Sequence, residues 1–244
     1  MFRLFIAFLL FFIAPMAAAA AWWSMVDRPA NWRQADWSAT GLLPPAQEVD
    51  GAVLHIMAAR TGGLKGAFSV HSWIVFKEAG SDNYQRFDKV GWGSPVRQNA
   101  YAADANWYSN PPFIIKTVRG DRASTLLPDL KTAIANYPHA ERGGYRIWPG
   151  PNSNSFVAHV LREVPAIGAV LPPHAVGKDW LSGGEFLRID PDGREAHITL
   201  FGLAGISVGA RSGFELHFLG QTAGVDVLRP ALKLPAIGRI GMPL

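Results

Sequence analysis

From Leu4 to Trp23 the chain carries no charged or hydrogen-bonding side chain apart from the two indoles at the far end. A helix there would have no polar face to turn to water, which argues against a core helix of a soluble domain. Two uses stay open. Leu4 to Ile13 fits the apolar region of a secretory signal, with small-residue cleavage sites in Ala17 to Ala21. Alternatively, the whole run can cross a hydrocarbon core of about 30 Å as a helix, with Trp22 and Trp23 in the headgroup layer. Pro15 suits either. The membrane anchor through residues 4–23 is the favoured expectation. In a bacterial cell both uses place the rest of the chain on the periplasmic or extracytoplasmic side.

Val26 to Asp50 shows no period and bears Trp32, Trp37, Pro44 and Pro45, as an arm or linker would. Its tryptophans are expected to pack on the domain rather than on a membrane surface. Ala52 to Ala59 and Val70 to Lys77 are strand-length apolar runs, the second rich in β-branched and aromatic residues. Glu78 to Asn83 reads as a turn and Tyr84 to Trp92 as the returning strand of a hairpin. Phe113 to Val118 is a further short strand. Apolar residues at Leu126, Leu127, Leu130, Ile134 and Tyr137 predict a helix over Asp121 to Tyr137, capped by Asp121 or Ser124. Pro128 should lie in its first turn or kink it. Phe156, Val157, Val160, Leu161 and Val164 form the stripe of a second helix, Asn152 to Val164, entered through the stiff turn Trp148-Pro149-Gly150-Pro151.

From Phe186 onward short β-rich runs (186–189, 196–201, 205–209, 214–219 and 225–228) alternate with Gly and Asp, and Asp190-Pro191-Asp192-Gly193 is a strong turn. They predict an antiparallel sheet that extends the main one or forms a small annex. The expected organisation is an anchor or signal at 1–25, an arm at 26–50, an α+β core at 51–170 and a β-rich extension of the same domain at 171–244.

With 49% hydrophobic, 11% aromatic and 17% charged residues, extensive disorder is excluded. The net charge is +4, but 23 basic residues are interspersed with 19 acidic ones and no Lys/Arg run stands out, so no nucleic-acid partner is expected. The absence of cysteine removes disulfides, thiolate metal sites and a cysteine nucleophile. None of the seven histidines has HxH or HExxH spacing and no phosphate loop is present, so neither metal nor cofactor is expected.

One constellation carries chemistry. His71 opens a strand, and Asn152-Ser153-Asn154-Ser155-Phe156 stands at the mouth of a helix. A hydroxyl there lies in the field of the helix N-terminus, whose N–H groups can also hold an oxyanion. A histidine at a strand end can serve as its base. A turn centred near Gly80 sets Val90 opposite His71 and puts Asp88 diagonally adjacent on the same face, where it could orient the imidazole. A one-residue slip would turn Asp88 away. Asn-Ser-Asn-Ser after Pro-Gly-Pro is equally what a capped helix entry looks like, and His71 alone is equally a core histidine.

A histidine leading a strand, followed well downstream by Asn-Cys-Asn-x-Phe at a helix start, resembles the circularly permuted papain-like superfamily of NlpC-type and PPPDE peptidases and lecithin–retinol acyltransferases. By that resemblance Ser153 takes the place of the nucleophilic cysteine and His71 that of the base, between about Val53 and Leu161. The stretches GAFSVHSWIVFK, VGWGSPVR, YRIWPGPNSNSFV and PALKLPAIGRIG are similar to a bacterial envelope family of unknown function, from about Trp32 to Gly241.

The resulting expectation is an α+β fold with a permuted papain-like core, an antiparallel sheet packed on two helices. Its expected function is that of a serine-dependent hydrolase or acyltransferase acting on an envelope amide or ester. Ser153 is the nucleophile, His71 the base, Asp88 its orienting partner, and the amides of Ser153 and Asn154 the oxyanion donors. Asn152, Asn154, Ser155, Trp73, Trp92, Trp148 and Arg146 are the candidate substrate-binding residues, and Ser155 the substitute nucleophile. By resemblance the substrate is a peptidoglycan peptide or a lipid acyl chain. The competing expectation is a non-catalytic ligand-binding or structural envelope protein that has lost the nucleophile.

Overall fold

The computed structural model describes residues 2–92 and 96–242; Gly93 to Pro95 of the VGWGSPVR stretch, Met1 and the last two residues lie outside it. After an N-terminal helix, α1 (Phe2–Ser24), mixed α and β structure is arranged around two antiparallel sheets. The first has five strands, β1 (Val53–Arg60), β2 (Val70–Lys77), β3 (Gln85–Lys89), β4 (Val96–Gln98) and β5 (Phe113–Arg119), in the order β4-β3-β2-β1-β5. Strands β1 and β2 are buried on both sides, which is why they read as continuous apolar runs rather than alternating ones.

One side of this sheet, through Leu54, Ile56, Ile74 and Phe76, packs on the 16-residue helix α2 (Gly120–Ala135) and the 11-residue helix α3 (Ser153–Glu163). The other side, through Met57, Trp73 and Val75, is covered by Leu43 and Trp107 with Trp37, Tyr101 and Tyr108 against them. The arm thus docks through Trp37, whereas Trp32 stays exposed. Helix α2 departs from expectation at its start. Its N-cap is Arg119 with no side-chain cap, and Pro128 lies in its interior, past the first turn.

The second sheet does not extend the first; it is a separate seven-stranded antiparallel meander, larger than a small annex. Its strands are β6 (Leu187–Ile189), β7 (Glu195–Leu200), β8 (Ala204–Gly209), β9 (Gly213–Phe218), β10 (Gln221–Asp226), β11 (Ala231–Leu234) and β12 (Gly238–Gly241). Its inner side carries buried charge. Lys178 Nζ lies 2.8 Å from Glu215 Oε2, and Lys233 bonds the other oxygen of the same carboxylate. The Ser207 hydroxyl meets His217 Nε2 at 2.8 Å. Burial alone would raise the pKa of Glu215, but the two lysines outweigh it and hold it at about 2; burial pushes His217 down to about 3, so it is neutral. Arg162 of α3 reaches the adjoining loop, bonding Lys178 O and Trp180 O.

Helix α1 is long and apolar enough to cross a membrane, and little of it is buried in the fold. A π-helical turn at Leu9–Ile13 precedes Pro15, whose missing N–H and bulky ring disfavour a tight turn there. Phe12, Pro15, Ala19 and Trp23 form its one buried stripe. Trp23 donates from its indole to Gly63 O at 2.9 Å and lies over Gly66, where an added Cβ would be 2.2 Å from the ring.

Candidate functional site

The β2–β3 ladder pairs Ile74 with Phe87 and Phe76 with Gln85. Continued along the hairpin, this register puts Val90 opposite His71 and Asp88 opposite Trp73, so that Asp88 is diagonal to His71 on the same face. The side chains meet there: His71 Nε2 is 2.7 Å from Asp88 Oδ1, with both residues buried. The other side of Asp88 is held by Arg86, through Nε to Oδ2 at 2.6 Å and a second nitrogen to Oδ1 at 3.0 Å. Arg86 is itself fixed by Ala102 O at 2.7 Å and lies over the Trp73 ring at 4.1 Å. The His71 ring stacks on Trp107 with centroids 3.6 Å apart and planes 2° from parallel.

This clamp sets the state of the imidazole. Burial would raise the pKa of Asp88, but the Arg86 guanidinium and the hydrogen bonds from His71 and Arg86 outweigh it and bring it to about 2. Burial pushes His71 below its ordinary value, against the pull of Asp88. An ionised carboxylate on Nε2 requires the proton there, leaving Nδ1 with its lone pair. Nδ1 bonds no described residue, and His71 lines a cleft of about 1230 Å³.

Ser153 lines the same cleft as the first residue of α3, and its hydroxyl and N–H bond no described residue. The helix entry explains this. Asn152 is the N-cap, accepting at Oδ1 from Asn154 N (2.9 Å) and Ser155 N (3.0 Å). The Ser155 hydroxyl closes the capping box, accepting from Asn152 N at 2.6 Å. Asn152 Nδ2 donates to Ile147 O and Val176 O. This loop approaches closely only because residue 177 is glycine at φ +92°, where a Cβ would lie 2.5 Å from Asn152 Nδ2. Asn154 ties the helix to the strand: its Oδ1 accepts from the Ser72 hydroxyl at 2.9 Å and its Nδ2 donates to Val70 O. The neighbours of His71 on both sides are therefore bonded to the neighbour of Ser153. No hydrogen bond joins the Ser153 hydroxyl to His71.

Several expectations need correction. Ser155 is consumed by the capping box and does not line the cleft, so it is neither a substitute nucleophile nor a substrate contact. The Asn154 N–H is taken by the cap, leaving the Ser153 N–H as the oxyanion donor on this turn. Trp73 is fully buried, donates to Ala103 O and backs Arg86, so it is no cleft wall. Arg146 is exposed and off the cleft. Its backbone N–H bonds Pro151 O at 2.8 Å and closes the Trp148–Pro151 turn.

Trp92 and Trp148 do line the cleft, as do Asn152 and Asn154. Sequence reasoning missed Arg86, although it alternates with Asp88 on one strand face, and Trp107, which sits in a loop and carries no local signal. It also missed Tyr145, which borders the cleft with its hydroxyl unbonded to any described residue; burial pushes its pKa up to about 12, so it remains a donor. The remaining wall was unexpected: Phe8, Phe12, Ile13 and Met16 of α1 face the cleft together with Phe218 and Leu219. Among the described residues no cluster of His, Asp and Glu could hold a metal ion.

No curated protein and no solved structure matches the chain. Residues 51–180, which span β1 to β5, α2, α3 and the loop behind the helix entry, match the family described as Protein of unknown function (DUF3750), and the chain belongs to that family.

Proposed function

We propose that the chain is a membrane-anchored, extracytoplasmic serine-dependent hydrolase or acyltransferase with a permuted papain-like core, acting on an ester or amide that carries a lipid acyl chain. The observation that carries this reading is that Ser153, at a helix N-terminus, opens onto the same cleft as His71, whose Nε2 is committed to Asp88. The Ser153 oxygen would attack the acyl carbon and pass its proton to His71 Nδ1. The Ser153 N–H and the helix field would hold the oxyanion. Collapse would expel the alcohol or amine, protonated by His71, and leave an acyl-serine for water or a second nucleophile to resolve. A serine hydroxyl, unlike a thiol, stays protonated until attack, so the fixed imidazole carries more of the load than it would beside cysteine. The lipid chain is favoured over a peptide because Phe8, Phe12, Ile13, Met16, Phe218 and Leu219 supply one wall of the cleft.

The test is turnover of nitrophenyl esters of short and long fatty acids by the full chain in detergent micelles. Ser153→Ala and His71→Ala should each lose at least about a thousandfold, and long-chain esters should be preferred. The missing Ser153–His71 hydrogen bond favours a second reading, a binding module that holds an acyl chain without cleaving it. Absence of turnover together with unchanged fatty-acid binding by Ser153→Ala would establish that reading instead.

A further inference from the structure

We infer that the outer face of the seven-stranded sheet, with the strand ends nearest α1, is a lipid-facing surface that seats the domain in the bilayer. The polarity of this sheet is inverted. Ladder partners share a face, and Leu187, Ile198, Ile206 and Leu216 form one row across β6 to β9. Phe214, Val225, Leu232 and Ile240 form another across β9 to β12. All eight are 39–55% exposed, whereas Ser207, Glu215, His217 and Lys233 on the opposite face are buried. A sheet with one face in water ordinarily wets its polar side, and a continuous apolar surface of this kind marks a contact with a membrane or a partner.

The two ends of the strands choose between those occupants. Turns at one end carry Asp192, Arg194, Arg211 and Arg229. Turns at the other, 201–203, 219–220 and 235–237, contain no charge and expose Phe201, Leu219 and Ile237. That uncharged end meets α1: Phe218 packs edge-on against Phe8 and Phe12, with centroids 5.6 and 6.3 Å away. At 1.5 Å per residue, Phe12 lies about 16 Å along the helix from Trp23. With the exposed Trp22, rather than the protein-packed Trp23, at the headgroups, Phe218 and the adjoining sheet face lie at acyl-chain depth, out of reach of a soluble partner. The meander pairs the backbone groups of β7 to β11 on both sides, as a lipid-facing sheet requires, and confines the unpaired groups of this sheet to the β6 and β12 edges. The inference rests on the anchor half of the proposed function and is independent of catalysis. It also sets the cleft wall formed by Phe218 and Leu219 beside the bilayer.

The absence of native cysteine makes the test direct. Full-length chains bearing a single thiol, Ile206→Cys, Leu216→Cys or Phe201→Cys, are labelled with a nitrobenzoxadiazole fluorophore and reconstituted in phosphatidylcholine–phosphatidylglycerol vesicles, with folding checked by circular dichroism. Asp129→Cys on the exposed side of α2 is the aqueous control, and Leu10→Cys reads the anchor by itself. All three sheet labels should be quenched by acyl-chain nitroxide lipids to the level of Leu10→Cys and should lose the iodide access that Asp129→Cys keeps. Iodide access at the sheet with lipid quenching at Leu10→Cys would overturn the inference and leave the anchor standing. No lipid quenching at Leu10→Cys would overturn both. Shielding from iodide without lipid quenching would overturn it as well, and disulfide-linked dimers of unlabelled Leu216→Cys would then assign the face to a second copy.

Discussion

Replacing Asp88 by asparagine keeps the shape of the side chain and removes its charge from between His71 and Arg86. Asp88 is fully buried and titrates at about 2 rather than 3.8. At about 1.4 kcal/mol per tenfold, the ionised form contributes about 2 kcal/mol to stability. Folding lowers the pKa of this acid, so the contribution is complete above about pH 4 and is lost as the pH falls through 3.8 toward 2. The variant loses more than that at neutral pH, because the buried Arg86 guanidinium keeps its charge but is left with neutral acceptors, Ala102 O and one amide oxygen, and no counter-charge. Breaking a buried pair in this way costs about 3–5 kcal/mol, or about 10 °C in melting temperature for a chain of this size. The assay is thermal unfolding of both proteins in one nonionic detergent, followed by near-ultraviolet circular dichroism, from pH 7 down to pH 2. The gap between them should be about 10 °C at pH 7 and shrink by about 2 kcal/mol across the acid limb. A variant that melts with the wild type at pH 7, or a gap that ignores pH, would refute the assignment of Asp88 as a charged clamp.

Three further outcomes follow from the same geometry. Ser155→Ala removes half of a capping box and should cost about 1 kcal/mol, whereas Ser153→Ala should melt within about 0.5 kcal/mol of the wild type, its hydroxyl having no described partner; paired thermal scans separate the two. Ser153→Cys creates the chain's one thiol, and its alkylation rate against pH should report a pKa below the ordinary value of about 8.5, returning toward that value when His71→Ala is added. Glu215→Gln leaves Lys178 and Lys233 buried without their shared carboxylate and should destabilise by about 3–5 kcal/mol at pH 7. Glu215 sits at about 2, so that penalty should fade as the pH drops through its ordinary value of 4.5 toward 2.

The parts of the site that were legible in the sequence are those written in local pattern. A hairpin turning at Gly80 has few registers that bury β2, and the one that places Val90 opposite His71 also brings Asp88 to the imidazole. The entry to α3 is legible for a similar reason, since Asn152 and Ser155 stand at N-cap and N3 spacing, and that spacing commits Ser155 to the cap rather than to the role of a reserve nucleophile. What stayed hidden depends on tertiary placement. Trp107 reaches His71 from a loop, and the segment just before it supplies the Ala102 carbonyl and the Tyr101 ring that enclose Arg86. Alternation in β7 to β9 marked strands but not which side faces out, and the default of apolar inside is reversed there. Strands β11 and β12 lie among Pro and Gly in PALKLPAIGRIG, which masked them.

The central claim is that Ser153 is an activated nucleophile, and the most direct measurement is intact-mass detection of fluorophosphonate labelling on the full chain in detergent. A single adduct is expected, persisting in Ser155→Ala and disappearing in Ser153→Ala and His71→Ala. An adduct that survives Ser153→Ala, or a folded wild-type chain that takes none, would contradict it.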